Sequence, residues 1–121
     1  MGRYCGLFIG RSVRVGNAVE VSGTVAINSS GEVVGENDVY FQTKFTLMRI
    51  ENALEELSVK FSDVVRTRIF ITDISKWELV GKAHGEIFGE IKIATSMVEV
   101  SRLIDDKFLV EIEATAILSD S

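Results

Sequence analysis

The chain has no proline, one cysteine and one histidine in 121 residues, and each shortage closes off a line of chemistry. Cys5 alone leaves no intrachain disulfide and no CxxC metal site. His84 alone excludes a multi-histidine metal centre, and no other side chain titrates near neutrality without a shifted pKa. Without proline no turn is fixed by a locked φ angle, so glycine and asparagine must shape the loops. No apolar run reaches the roughly 18 residues that span a bilayer, and the opening MGRYCGLFIGRSVRV is too short and too charged for a secretory signal. The expectation is a cytoplasmic protein with no membrane partner. A basic face is missing as well: the formal charge of −5 argues against a nucleic-acid partner held by phosphate neutralisation.

What is present suits one compact domain over residues 1–121. The length leaves no room for a second core, and 46% apolar residues can build the first. The runs SVRV and AVEVSGTVAI alternate about Gly16-Asn17, which predicts a hairpin with a two-residue turn. A short strand is expected around Glu32–Val34. From Asp38, placed as an N-cap, Phe41, Phe45, Met48, Ile50, Leu54 and Leu57 mark an apolar helical stripe ending near Leu57. VVRTRIFITD, from Val64 to Asp73, is β-branched and alternating. KWELVGKAHGEIF then predicts a second helix up to Gly89, followed by strands at Ala94–Val100 and Leu109–Leu118. The sum is one α+β domain with five or six strands and two helices.

The last strand, LVEIEATAIL, raises a functional question. A two-residue period puts Val110, Ile112, Ala114, Ala116 and Leu118 on one face, and Leu109, Glu111, Glu113, Thr115 and Ile117 on the other. Two helices cover one face of such a sheet. The other would carry Phe70, Met97, Leu109 and Ile117 among its charges, and exposed apolar area of that kind marks an association surface. Covering it would bury Glu111 and Glu113.

VRVGNAVEVSG, GEVV, VVRTRIFITD and above all MVEVSRL followed by LVEIEATA resemble the RidA/YjgF family, also called endoribonuclease L-PSP, from about Ser12 to Leu118. The resemblance implies a chorismate-mutase-like fold, a mixed sheet with two helices on one face, assembled as a homotrimeric barrel with small-molecule clefts between subunits. It implies hydrolysis of enamines and imines to 2-oxo acids and ammonia, with no metal and no organic cofactor. An arginine clamps the substrate carboxylate in active members, and a glutamate on the last strand positions water. That glutamate corresponds to Glu111. The arginine does not survive, because the family's PARS lies over IATS and puts Thr95 at the clamp. Ile9 falls where active members have a tyrosine, Gly81 where they have an asparagine, and Met97 where they have a cysteine or similar small residue. VGKAHGEIFG and ATSMVEV resemble a divergent branch of the family.

Each candidate also has a structural reading. Glu111 is either a water-holding carboxylate or a member of an interface ion pair, and Glu113 is an ion-pair partner for Arg66 or Arg68. Gly23 is either a ligand-approaching backbone position or a strand kink. Thr95, Met97 and Glu99 are expected to line the cleft while Ser96, Val98 and Val100 face the helices. Arg11, Arg14 and Arg102 are the candidates to replace the clamp, Arg11 foremost. His84 is either a helix histidine without chemistry or an acid or base at the cleft edge. Three functional readings follow: an enamine or imine deaminase, a non-catalytic binding module of the same fold, and, least supported by the charge, a ribonuclease.

Overall fold

The computed structural model describes residues 12–119. Strands β1 (Ser12–Val15) and β2 (Ala18–Thr24) are followed by helix α1 (Val39–Glu55), strand β3 (Val64–Ile71), helix α2 (Trp77–Phe88) and strands β4 (Ala94–Glu99) and β5 (Val110–Ile117). Together the strands form one mixed sheet in the order β1-β2-β5-β3-β4. Gly16, at φ +60°, makes the tight β1–β2 turn, a conformation that glycine adopts without steric cost. Antiparallel pairing joins β1 to β2, β2 to β5 and β5 to β3, whereas β4 runs parallel to β3 along the edge. The β3–β4 crossover therefore carries α2, as a parallel pair requires a long connection.

Asp38 caps α1 as its sequence suggests, its carboxylate accepting from the Phe41 N–H at 2.9 Å. The buried face of that helix differs from the apolar stripe. Phe41 and Met48 are exposed, whereas Val39, Gln42, Thr43, Thr46, Leu47, Ile50, Ala53 and Leu54 are buried. Two of the polar members, Gln42 and Thr43, can be buried because hydrogen bonds satisfy them, whereas the Thr46 hydroxyl is buried without a partner among the described residues. Thr43 Oγ1 donates to the Val39 carbonyl, and Gln42 Nε2 donates to the carbonyls of Val34 and Lys107 at 3.2 and 2.8 Å. Gln42 Oε1 accepts from the Leu109 N–H at 2.8 Å. One amide thus ties α1 to the chain entering β5.

The core lies between the helices and one face of the sheet. Val19 and Val21 of β2, Ile69 and Ile71 of β3, and Val110, Ile112, Ala114 and Ala116 of β5 meet Leu47, Ile50, Leu54, Val80 and Phe88. β2 ends at Thr24 rather than Ile27, after a register shift between Val21 and Thr24. Val25 and Ile27 join a smaller cluster with Phe108. The expected short strand is reduced to a single Ile27–Val33 bridge. Leu109 was expected on the uncovered face, but it lies outside β5 and packs against the main core.

Candidate functional site

β5 is central and flanked by antiparallel partners on both sides, so its alternation is read from two ladders at once. Val110 and Ile112 are fully buried under the helices, and Glu111 projects from the opposite, uncovered face. Its neighbour across the ladder is Phe70 of β3, which in turn lies opposite Val98 of β4. The same face carries Arg68 paired with Glu113 at 3.9 Å, as expected, while Arg66 donates to Ser96 Oγ at 2.7 Å. Among the described residues no cation pairs with Glu111 in this way. Burial pushes its carboxyl above the usual glutamate range, and the charge of Glu113 adds to the effect.

Gly23 explains how the carboxyl fits. A Cβ at position 23 would overlap Glu111 Oε2 and stand 2.8 Å from Cδ. The missing side chain is therefore the space that Glu111 occupies, and the structure brings these two candidates together.

Thr95 and Met97 are placed differently from expectation. β4 is paired on one side only, and its register on β3 sets its faces: Thr95 lies beside Thr67, Met97 beside Ile69 and Glu99 beside Ile71. Thr67, Ile69 and Ile71 all face the helices. Thr95 and Met97 do the same, and Met97 packs against the core; Ser96 and Val98 are the residues on the open face. Sequence alternation along an edge strand gives a period without saying which face is which, so the two sets were interchanged.

On the helix side a chain of hydrogen bonds runs inward from the edge. Thr95 Oγ1, exposed at the rim of β4, lies 3.0 Å from Thr67 Oγ1, and Thr67 Oγ1 lies 2.9 Å from His84 Nε2 on α2. Thr67 is completely buried. The His84 ring packs on Phe88 with centroids 4.8 Å apart, and burial pushes its pKa below the usual histidine value. Gly81 lies one turn before His84 on α2, and a Cβ there would meet nothing within 4 Å, so the space beside the helix is open. Thr67 escaped notice in the sequence because it reads as one more β-branched strand residue.

Ile9 and Arg11 lie outside the described residues. Among the described residues no cluster of three His, Cys, Asp or Glu side chains could hold a metal, and no helix is long and apolar enough to cross a membrane. A groove of about 560 Å³ between α1 and the segment after β2 is lined by Ile27, Phe45, Met48 and Arg49 but by neither Glu111 nor Thr95. Arg49 donates from there to the Val25 carbonyl at 2.7 Å.

A two-helix, mixed-sheet protein with a desolvated acid on its open face and a threonine–histidine chain at its edge belongs to the class of small α+β domains. Comparison with known proteins makes the class specific. The model of the family Endoribonuclease L-PSP matches residues 8–118. A RutC family protein of Pyrococcus abyssi is 36% identical over 107 residues, 88% of this chain and 83% of its own. The 2-iminobutanoate/2-iminopropanoate deaminase of Escherichia coli K12 is 32% identical over 111 residues, 88% and 84% of the two chains. Among solved structures, a YjgF/YER057c/UK114 family member from Mycobacterium tuberculosis superposes with a TM-score of 0.80 at 46% identity, covering 89% of this chain and 85% of that one. Escherichia coli TdcF with bound serine gives 0.81 at 26% identity, covering 89% and 86%. The chain belongs to the RidA/YjgF (endoribonuclease L-PSP) family and has its chorismate-mutase-like α+β fold.

Proposed function

We propose that the protein binds a small metabolite in a cleft completed by a second copy of itself, within a homotrimer, and hydrolyses an enamine or imine there. Glu111 holds the attacking water. Water adds to the imine carbon, and the carbinolamine then collapses to a carbonyl and ammonia. A carboxyl in a dry site that holds and deprotonates this water contributes about 10²–10⁴ in rate. The observation that carries this reading is Glu111 itself, desolvated and seated in the space left open by Gly23. The related deaminase of Escherichia coli supplies the reaction class.

The need for a second copy rests on geometry. Glu111 projects from the open face and Thr95 from the helix face, so one chain cannot bring them to the same ligand. The open face also leaves apolar side chains in water: Val13, Val15, Val98 and Ile117 are 56%, 73%, 47% and 46% exposed. Two further candidates lie near the Thr95 side in this arrangement: Gly81 gives room, and Met97 backs the rim from the core.

Thr95 in place of a cationic clamp sets the specificity. A neutral hydroxyl grips a carboxylate more weakly than arginine, so 2-imino acids are poor substrates at neutral pH. This also favours the second reading, a binding module without turnover. Ammonia release from 2-iminobutanoate and from an imine lacking the carboxylate separates the two, with sedimentation equilibrium reporting the assembly. Release above the spontaneous rate, suppressed in a still-trimeric Glu111→Gln protein, supports hydrolysis. A monomer at micromolar concentration, or equal rates in both proteins, refutes it.

A further inference from the structure

The direction of the Thr95–Thr67–His84 chain is set by whether Nε2 of the imidazole carries a proton, as it always does in the imidazolium and does not in the neutral Nδ1–H tautomer. Each threonine hydroxyl has one hydrogen to donate, and both nitrogens of an imidazolium are donors. Once His84 is protonated, Nε2–H donates to Thr67 Oγ1, the Thr67 hydroxyl donates to Thr95 Oγ1, and the Thr95 hydroxyl points its hydrogen out of the rim. An acceptor is then favoured there. With a neutral ring whose Nε2 accepts, every bond reverses and the rim presents a lone pair. The chain is continuous, at 2.9 and 3.0 Å, and its middle member is sealed from water.

We propose that this chain makes the β4 rim a proton-coupled carboxylate site, in which His84 takes up one proton as an anionic ligand binds at Thr95 and so replaces a fixed cation. The inference rests on the ligand position proposed above but not on hydrolysis. No bond is made or broken in the ligand; the proton comes from solvent and resides on the imidazole.

The surroundings of His84 suit a group that stays neutral until an anion arrives. Its shift comes from burial alone, without contribution from a neighbouring charge. On α1, Tyr40 and Lys44 both engage Glu86 of α2, and Lys82 of α2 lies over the Tyr40 ring. On β3, Arg66 and Arg68 belong to the open face, bonded to Ser96 and Glu113. Asp63, before β3, accepts from the Lys60 N–H, and Glu99, at the far end of β4, accepts from the Ile74 N–H. Among the described residues no carboxylate pairs with His84, and the counter-charge for an imidazolium is therefore the ligand's to supply. By linkage, an anion that binds more tightly to the protonated form must raise the histidine pKa by the same factor.

As the chain's one histidine, His84 gives an unambiguous NMR signal. Propionate, an unreactive carboxylate, is titrated into the untagged protein across the pH range in which it stays ionised and histidine titrates, with propionamide as the neutral control. Above the free His84 pKa the apparent Kd for propionate should rise about tenfold per pH unit, because only the protonated fraction is competent. Saturating propionate should raise the His84 pKa, and propionamide should not. Thr67→Val, which keeps the volume and breaks the chain, should leave a propionate affinity independent of pH. A pH-independent Kd in the natural protein, no binding at all, or retention of the pH dependence in Thr67→Val each overturns the proposal. If Thr67→Val fails to fold, the titration of the natural protein still decides. Absent ammonia release would sink hydrolysis and leave this coupling untouched; absent coupling would do the reverse.

Discussion

Replacing Gly23 by alanine adds one methyl group where the Glu111 carboxyl now sits. The new Cβ would stand 2.8 Å from Glu111 Cδ and 3.3 Å from Cγ and would overlap Oε2. No backbone strain opposes the change, since Gly23 is not among the glycines with positive φ. Glu111 is the far end of a flexible side chain, so it can rotate away. Holding it off its preferred rotamer costs about 0.5–1.5 kcal/mol, and the stiffer unfolded chain offsets about 0.4–1 kcal/mol. The net stability change is then within about 1 kcal/mol, or a Tm shift of no more than roughly 4–8 °C. Under the role proposed for Glu111 function should respond far more, because the oxygen proposed to hold water has moved: turnover should fall by about 10²–10⁴, as for loss of a positioned acid–base group. The control is a double-mutant cycle with Glu111→Ala, in which the alanine methyl finds empty space and the coupling should recover about 0.5–1.5 kcal/mol. Thermal unfolding of the four proteins measures it. An equal cost of Gly23→Ala with and without the Glu111 side chain would show that the glycine is not making room for the carboxyl.

Gln42→Leu should lower stability by about 3 kcal/mol or more, at roughly 1–3 kcal/mol for each buried backbone group left unpaired, since it abandons the Val34 and Lys107 carbonyls and the Leu109 N–H; an unchanged denaturation midpoint would contradict this. Thr95→Arg should tighten propionate binding about tenfold or more, because charge-assisted bonds of about 1.5–3 kcal/mol replace a neutral one of about 0.5–1.5. The same variant should abolish the pH dependence of that binding, and a titration matching the natural protein would count against the rim as the anion seat. Glu111→Gln should raise Tm at pH 7 and lose that advantage on acidification. The folded pKa of Glu111 lies above its ordinary 4.5, so the folded state holds the proton more tightly and stability declines as pH rises from below 4.5 through the folded value. Equal melting curves for the two proteins at pH 7 and pH 4 would show that the carboxyl is not desolvated.

The strands and helices were legible because their periods are long and their breaks are marked, by Asp38 at one helix and by Gly16-Asn17 at the hairpin. β5 could be assigned to its faces as well, since Val110, Ile112, Ala114 and Ala116 alternate with Glu111, Glu113 and Thr115. α1 could not. Its aromatic residues looked like the core, but burial went also to Gln42 and Thr43, whose hydrogen bonds to backbone remove the cost that a hydropathy pattern assigns to them. β4 failed for another reason: every residue of that edge strand keeps some contact with solvent, so composition does not distinguish its faces, and only the register on β3 does. Glu111 was found by its place in a motif. The Thr67–His84 contact joins residues 17 apart and has no local signature.

Because Glu111 and Thr95 leave one sheet in opposite directions, a site that needs both exists only while copies of the chain are associated. For the proposed hydrolysis, specific activity would then be a function of protein concentration. Dilution through the assembly constant would switch the reaction off without unfolding a single chain, and an excess of Glu111→Gln copies, which keep Thr95, would restore it by completing the sites of dilute natural chains in mixed assemblies by mass action. A cell could set the threshold for this reaction simply through the amount of protein it makes.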